Sequence, residues 1–486
     1  MTAEVLNRRS VRGVTALRGG RRWRPTPYQV FGLAFWLLMT LAFWRVPPCC
    51  DAGQHAAAVE RLRAGLPDAG FSSPYVLAQG ALARLTGLSG WAVLRVCGPL
   101  NLLVLLSGVG RFVRALTPRA WAPVLALVFL TVLWGTERAW GAGYLALMPM
   151  TGVLGYPSAC ALGLTFWAWA LTAARARDTR PVRFVGPSGL RGFTGYAALG
   201  VLYGAVALLD PVTGVGAAAG AVACVAGWQR GRCAAVAGRW ALTGVVAVLV
   251  AAWRPYSAGD FAQGLPGGLL GCCWLALLGL PALWLRARRS SWRDPLVLLT
   301  VLECLAVAYG RLGALLGLAL AGPQLALAVE LAAARPWPVW RRALGWSAAG
   351  GACLGLLTVQ AGAVVPRSLD PVGFAQPPRW PSYDWAAGYL RPGEVVLADG
   401  SHALRTLPGY GVTAADARAY LSPAATRAQR TAILRRGRVR WLLLTRGRRM
   451  PADAVVVAWS RRTGEVLARV GTGPNATARP TAATTR

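Results

Sequence analysis

Apolar runs long enough to cross a bilayer recur from residue 28 to residue 364, separated by short connections in which arginine is concentrated. The windows 28–46, 92–114, 120–136, 153–174, 194–209, 212–229, 240–253, 267–285, 295–310, 312–334 and 343–364 read as spans, about eleven by bilayer thickness. Charge alternates between successive connections. With the amino terminus inside, the inner segments carry Arg8, Arg9 and Arg12, then Arg111, Arg114 and Arg119, and later Arg175, Arg230, Arg286, Arg335 and Arg342 with their neighbours. The short outer loops carry Arg138, Arg254 and Arg311. One span added or lost would invert every later loop, so the pattern predicts an inside start and an outside finish. The segment 137–152, with GAGYLALMPM, is too short to span and reads as re-entrant or surface-lying.

From Arg367 the apolar runs give way to Pro-rich sequence and then to strand and helix patterns. Residues 394–398, 440–444, 454–459 and 465–470 read as strands and 424–436 as a helix. The expected fold class is an α-helical polytopic membrane protein of about eleven transmembrane helices with a small C-terminal extracytoplasmic α/β domain. Its expected parts are an Arg-rich cytoplasmic terminus (1–27), a membrane domain (28–365) with a first outer loop (47–90), the α/β domain (366–472) and a disordered tail (473–486).

Composition supports this division. In 486 residues, 55% are hydrophobic and the net charge is +34, carried by arginine with no lysine. Such a chain is no ordinary soluble enzyme. Its basicity reports cytoplasmic loops and anionic headgroups rather than nucleic acid. None of the ten cysteines forms a CxxC pair, and most lie in or beside apolar runs, where a thiol acts as a small hydrophobe. The apolar run after the Arg-rich terminus is too long for a signal peptide and reads as an uncleaved span.

The first polar connection, 51–84, holds most of the early carboxylates. Asp51 follows Pro-Pro-Cys-Cys and precedes a run with helical spacing, so it reads as a helix N-cap with His55 one turn on. Ser73-Pro74 opens a second short amphipathic helix. Glu60, Arg61 and Arg63 read as a solvated face, and Asp68 as a turn residue.

This order of one span, an Asp-x-x-x-His helix, ERLRAGLP, SPYVLAQGALARLTGL and a second span VLRVCGPLNLLVLLSGVGRFVRAL resembles the GT-C superfamily of polytopic membrane glycosyltransferases, especially its actinobacterial integral membrane branch. The resemblance implies a polyprenyl-phosphate-linked sugar donor, transfer with inversion to an envelope glycan or protein acceptor, and an acidic base on the first outer loop. Asp51 stands at that position. Many members carry a second acid immediately after it, where this chain has Ala52. The family's second acidic position often falls in the next outer loop, which makes Glu137 a candidate partner, although Glu137 could equally pair with Arg138.

Chemistry supplies further candidates. Transfer from a lipid phosphate needs a base for the acceptor hydroxyl and a cation for the departing phosphate. Arg254 and Arg311 are the scarce outer cations, and either could hold the phosphate or reach toward headgroups. His55 could hold a phosphate oxygen, orient Asp51 or join a divalent metal, although one imidazole and one carboxylate are an incomplete set. Asp210 lies at an outer junction and is either a functional carboxylate or a cap for the helix that Pro211 opens. Glu303 and Glu330 lie within spans and are expected to face the bundle interior. Asp399 and His402 follow a strand of the α/β domain, where such folds place ligand sites. No cofactor is required by any motif. The competing readings are a non-catalytic relative that binds lipid-linked glycan or acts as a scaffold, and a transporter.

Overall fold

A computed structural model describes residues 25–46, 51–65, 73–138, 145–177, 187–229, 234–253, 269–290, 292–310, 312–333, 338–377 and 380–470. Arg254, Arg311, Asp68, the Cys49–Cys50 pair, most of the Arg-rich terminus and the tail lie outside the described residues.

Among the described residues the membrane domain contains helices and no strand. Its elements are α1 (Pro27–Arg45), α2 (Ala52–Arg63), α3 (Pro74–Thr86), α4 (Gly90–Leu116), α5 (Ala122–Val132), α6 (Leu147–Val153), α7 (Pro157–Arg177), α8 (Pro187–Leu209) and α9 (Pro211–Trp228). There follow α10 (Ala234–Ala251), α11 (Leu269–Cys273), α12 (Leu280–Arg289), α13 (Pro295–Gly310), α14 (Leu316–Leu331) and α15 (Val339–Gly355), which continues through a π-turn into α16 (Ala361–Val364). Local chemistry explains several boundaries. Thr26 and Gln29 form a capping box on α1, Ser73 with Pro74 starts α3, Gly87 ends it at φ 72°, and Ser89 caps α4.

The apolar windows fall on these helices, with one revision to their continuity. The window 267–285 is not a single helix: a 3₁₀ segment, Trp274–Gly279, separates α11 from α12. Gly279 lies so close to α14 that an added Cβ would sit 2.2 Å from the Pro323 carbonyl oxygen, and Pro281 removes a further helical N–H. Among the described residues, five helices are individually long and apolar enough to cross a bilayer, or six if α6 and α7, bent by 120°, count as one span.

The two ends of the bundle differ chemically. At one end Glu330 accepts from Arg289 at 3.1 Å and Arg341 at 2.9 Å, while Asp294 accepts from Arg286 at 2.6 Å. Other arginines here lie over aromatic faces: Arg177 over Trp228 at 4.0 Å, Arg111 over Trp167 at 4.1 Å and Arg288 over Trp284 at 4.7 Å. Such stacking covers the guanidinium face while its edge stays polar.

The opposite end carries α2, α3 and the C-terminal domain. That domain is one five-stranded sheet in the order β2-β1-β3-β5-β4, from β1 (Val395–Ala398), β2 (Thr413–Asp416), β3 (Val439–Leu444), β4 (Ala454–Trp459) and β5 (Val466–Val470). β1 pairs in parallel with β2 and β3, and β5 lies antiparallel between β3 and β4. Four strands and the helix Arg427–Arg436 lie close to the stretches read from sequence. β2, TAAD, lacks the apolar run that marks a strand, having no β-branched aliphatic or aromatic side chain, and joins the sheet as an edge strand through its parallel pairing with β1.

Glycines join the two parts. A Cβ on Gly53 of α2 would stand 2.0 Å from the Arg405 carbonyl oxygen of the C-terminal domain, and one on Gly90 of α4 would stand 2.3 Å from that of Ala56. Tight backbone approach on both sides fixes α2 as a wedge. Gly53→Ala is therefore expected to destabilise the protein by about 1–3 kcal/mol, the range for overpacking. Thermal unfolding of the purified chain checks this against Gly32→Ala, where an added Cβ meets nothing within 4 Å; equal midpoints for the two variants would refute the wedge.

Candidate functional site

Asp51 occupies the N-cap position of α2, but its side chain makes no capping hydrogen bond. The expected cap is absent because the backbone at φ −93°, ψ 11° is not extended, whereas the working cap Ser73 sits at φ −79°, ψ 149°. The Asp51 carbonyl instead accepts from the N–H groups of Gln54 and His55. The Asp51 residue is exposed at the entrance to the helix.

His55 lies one turn further, half-buried, with its ring centroid 4.7 Å from that of Tyr156. Tyr156 sits in the sharp bend between α6 and α7, where the helix breaks and frees carbonyl oxygens inside the bundle. Asn101 of α4 satisfies them, donating to Leu154 O at 2.7 Å and Tyr156 O at 3.3 Å, and also reaches the Tyr75 hydroxyl at 2.7 Å. One buried amide therefore holds α3, α4 and the bend in register beneath His55. Sequence reasoning missed Asn101, although a lone amide within an apolar span is itself a signal.

Glu60 departs from its expected solvated role. Its Oε1 accepts from the Gly90 N–H at 2.7 Å and its Oε2 pairs with Arg63 Nε at 2.8 Å. A carboxylate at the start of α4 meets the positive end of that helix's dipole. Arg45, also missed, ends α1 by donating to the carbonyls of Ala363 at 2.9 Å and Val364 at 3.2 Å. It places a cation near the start of the first loop.

Other candidates are held elsewhere. Asp210 caps α9: its Oδ2 accepts from the Thr213 N–H at 3.1 Å and from the Thr213 hydroxyl, with Pro211 in the first turn. Glu137 does not pair with Arg138; its carboxylate lies over Gly271, and its N–H donates to the Gly271 carbonyl at 3.1 Å. No hydrogen bond or ion pair among the described residues joins Glu137 to Asp51. Glu303 is fully buried beside Gly216 of α9, and Glu330 belongs to the Arg-rich end.

In the C-terminal domain, Asp399 follows β1 and is engaged by Thr445 at 2.7 Å and Arg448 at 2.9 Å. His402 is exposed, its ring edge-on to Trp380 at 4.5 Å. The same domain presents Tyr410 to Trp91 of α4 at 5.8 Å, and Asp384 accepts from the Tyr410 hydroxyl at 2.8 Å. No three His, Cys, Asp or Glu side chains among the described residues converge on a metal-sized space. Asp51 and His55 supply at most two ligands.

Burial pushes the His55 imidazole below its ordinary value, opposed by the Asp51 carboxylate. The folded chain thus prefers the neutral ring, and the unfolded chain takes up the proton first. This contribution to stability is present above a pH of about 6.5 and is lost as pH falls through the lowered folded value. Thermal unfolding between about pH 7.5 and about pH 5 should show a decline that His55→Phe makes shallower; superimposable profiles would rule this out.

No family model matches the chain, and no curated protein matches it. Among solved structures it is similar to the oligosaccharyltransferase of Archaeoglobus fulgidus in the apo form, with a TM-score of 0.50 at 11% identity over 85% of this chain and 69% of that one. The same archaeal enzyme, tethered by a disulfide bond to an acceptor peptide containing the NVT sequon, gives a TM-score of 0.50 at 11% identity over 86% and 69%. At such identity the likeness is one of fold. The chain shares the fold of that archaeal oligosaccharyltransferase, a helical membrane domain with a small α/β domain, which here is seated on the first loop.

Proposed function

We propose that this protein is a membrane glycosyltransferase that moves a sugar from a polyprenyl-phosphate donor to an envelope acceptor with inversion, Asp51 acting as the base. The observation that carries this reading is the position of Asp51. It opens the loop helix wedged between bundle and α/β domain, and its carboxylate is exposed and not used to cap that helix. A carboxylate in that state can accept the proton of a sugar or peptide hydroxyl as its oxygen attacks the anomeric carbon. The lipid phosphate then leaves with the bonding electrons, its charge eased by a cation at the membrane edge.

The arginine asymmetry supports a cytoplasmic amino terminus and an extracytoplasmic α/β domain. The archaeal enzyme of similar fold takes an acceptor peptide, and the α/β domain here is the natural partner for an acceptor entering from outside. Arg254 and Arg311 remain the proposed phosphate contacts, with Arg45 as a third cation near the same loop. Glu137 and Asp210 are not proposed as reacting groups, since the first lies over Gly271 and the second caps a helix.

A second reading has one observation in its favour. Ala52 stands where many GT-C members carry a second acid, which suits a relative that binds lipid-linked glycan without turning it over.

In membranes supplied with a radiolabelled polyprenyl-phosphate sugar, Asp51→Asn is expected to lower transfer by about 10²- to 10⁴-fold with an unchanged unfolding midpoint. Unaltered transfer in this variant would remove Asp51 as base. Absence of transfer in the wild type, together with an unchanged envelope glycan profile on deletion, would favour the non-catalytic relative.

A further inference from the structure

A groove of about 840 Å³ opens on the flank of the bundle between α5, α14 and α15. It is walled by Leu125, Phe129 and Leu331, and its α15 side is kept open by the small residues Gly345 and Ala349. Arg342 and the largely exposed Trp346 stand at one end, and Cys353 at the other.

Three features specify an occupant. The first is length: from Arg342 to Cys353, a helical rise of about 1.5 Å per residue gives about 16 Å, close to half of a hydrocarbon core about 30 Å thick. The groove therefore runs through one leaflet. The second is volume, which lies in the range of about 300–1,000 Å³ that encloses a ligand chain rather than a solvent molecule. The third is charge. Glu330 is already held by Arg289 and Arg341, whereas Arg342 has no carboxylate partner among the described residues. Arg119 adds to the surplus, with its Nη1 spent on the Val329 carbonyl at 3.3 Å. An apolar slot one leaflet deep with an uncompensated cation at its mouth is complementary to a single anionic lipid.

We infer that this groove is a binding site for one acyl chain of an anionic phospholipid, whose phosphate is held by Arg342 in the leaflet on the Arg-rich side. Trp346 lies at the level of that headgroup, as aromatic side chains do at membrane interfaces. The site is at the opposite end of the bundle from Asp51, so it is independent of glycosyl transfer. It would hold α15, whose far end continues into α16 and the Arg45 contact, against α5 and α14.

The test is native mass spectrometry of the full-length protein in detergent, titrated with phosphatidylglycerol or with phosphatidylcholine of the same acyl chains. The wild type is expected to retain phosphatidylglycerol at least about fivefold over phosphatidylcholine, in the manner of a charge-assisted contact. Because so basic a chain binds anionic lipid elsewhere too, the readout is the loss of one retained lipid per chain in Arg342→Gln. Arg342→Lys keeps the charge and should keep that lipid, which separates headgroup capture from a folding defect. Ala349→Trp, which fills the groove, should lose the same lipid. Equal retention of both lipids by the wild type, or an unchanged count in Arg342→Gln, would overturn the assignment. So would a dimer dispersed by Ala349→Trp, which gives the groove to a second copy, or displacement of phosphatidylglycerol by a polyprenyl phosphate at equal concentration.

Discussion

The structure depends on the close approach of backbones around α2. Gly53 faces the carbonyl of Arg405 and Gly90 faces that of Ala56, and neither separation leaves room for a side chain. Because both contacts are backbone to backbone, they set the position of α2 rigidly, whereas contacts between long side chains would let it slide. The position of Asp51 follows, as does the seating of the α/β domain, whose Tyr410 meets Trp91 one face away.

A low-dielectric bundle constrains its charges in a related way. At the Arg-rich end each buried carboxylate has an arginine partner: Glu330 has two and Asp294 has one. Asn101 plays the neutral equivalent, meeting carbonyls that the α6–α7 bend would otherwise leave bare. Polar groups within this bundle are thus mostly structural fasteners. Two carboxylates stand apart from these fasteners: Glu303, fully buried with neither oxygen hydrogen-bonded, and Asp51, exposed at the entrance of α2 and not used to cap it.

The fold likeness to an archaeal oligosaccharyltransferase gives this geometry its context. Fold alone does not carry function. What distinguishes the proposed transfer from a scaffold is one carboxylate at a loop-helix entrance, a half-buried imidazole beside it and an α/β domain against the same helix. Asp210, whose sequence setting read equally well as cap or reacting group, is accounted for by its bonds to Thr213.

Long apolar windows, their arginine flanks and the change of texture after Arg367 were legible because each rests on local composition: bilayer thickness sets the run length, and charge bias sets the loops. Four strands were legible for the same reason, while edge strand β2 was not, since TAAD carries no apolar run and is a strand only through its pairing with β1. The interruption between α11 and α12 and the bend before α7 depend on neighbours, Pro323 and Asn101, that lie far away in sequence. Likewise, the sequence by itself placed Asp51 at the head of a helix after the first span. Only the tertiary structure decided that this carboxylate leaves the cap unmade, that Glu60 faces the start of α4 and that Glu137 lies over Gly271. Partners across space, and not residue type, determine where a charge goes once the backbone has closed around it.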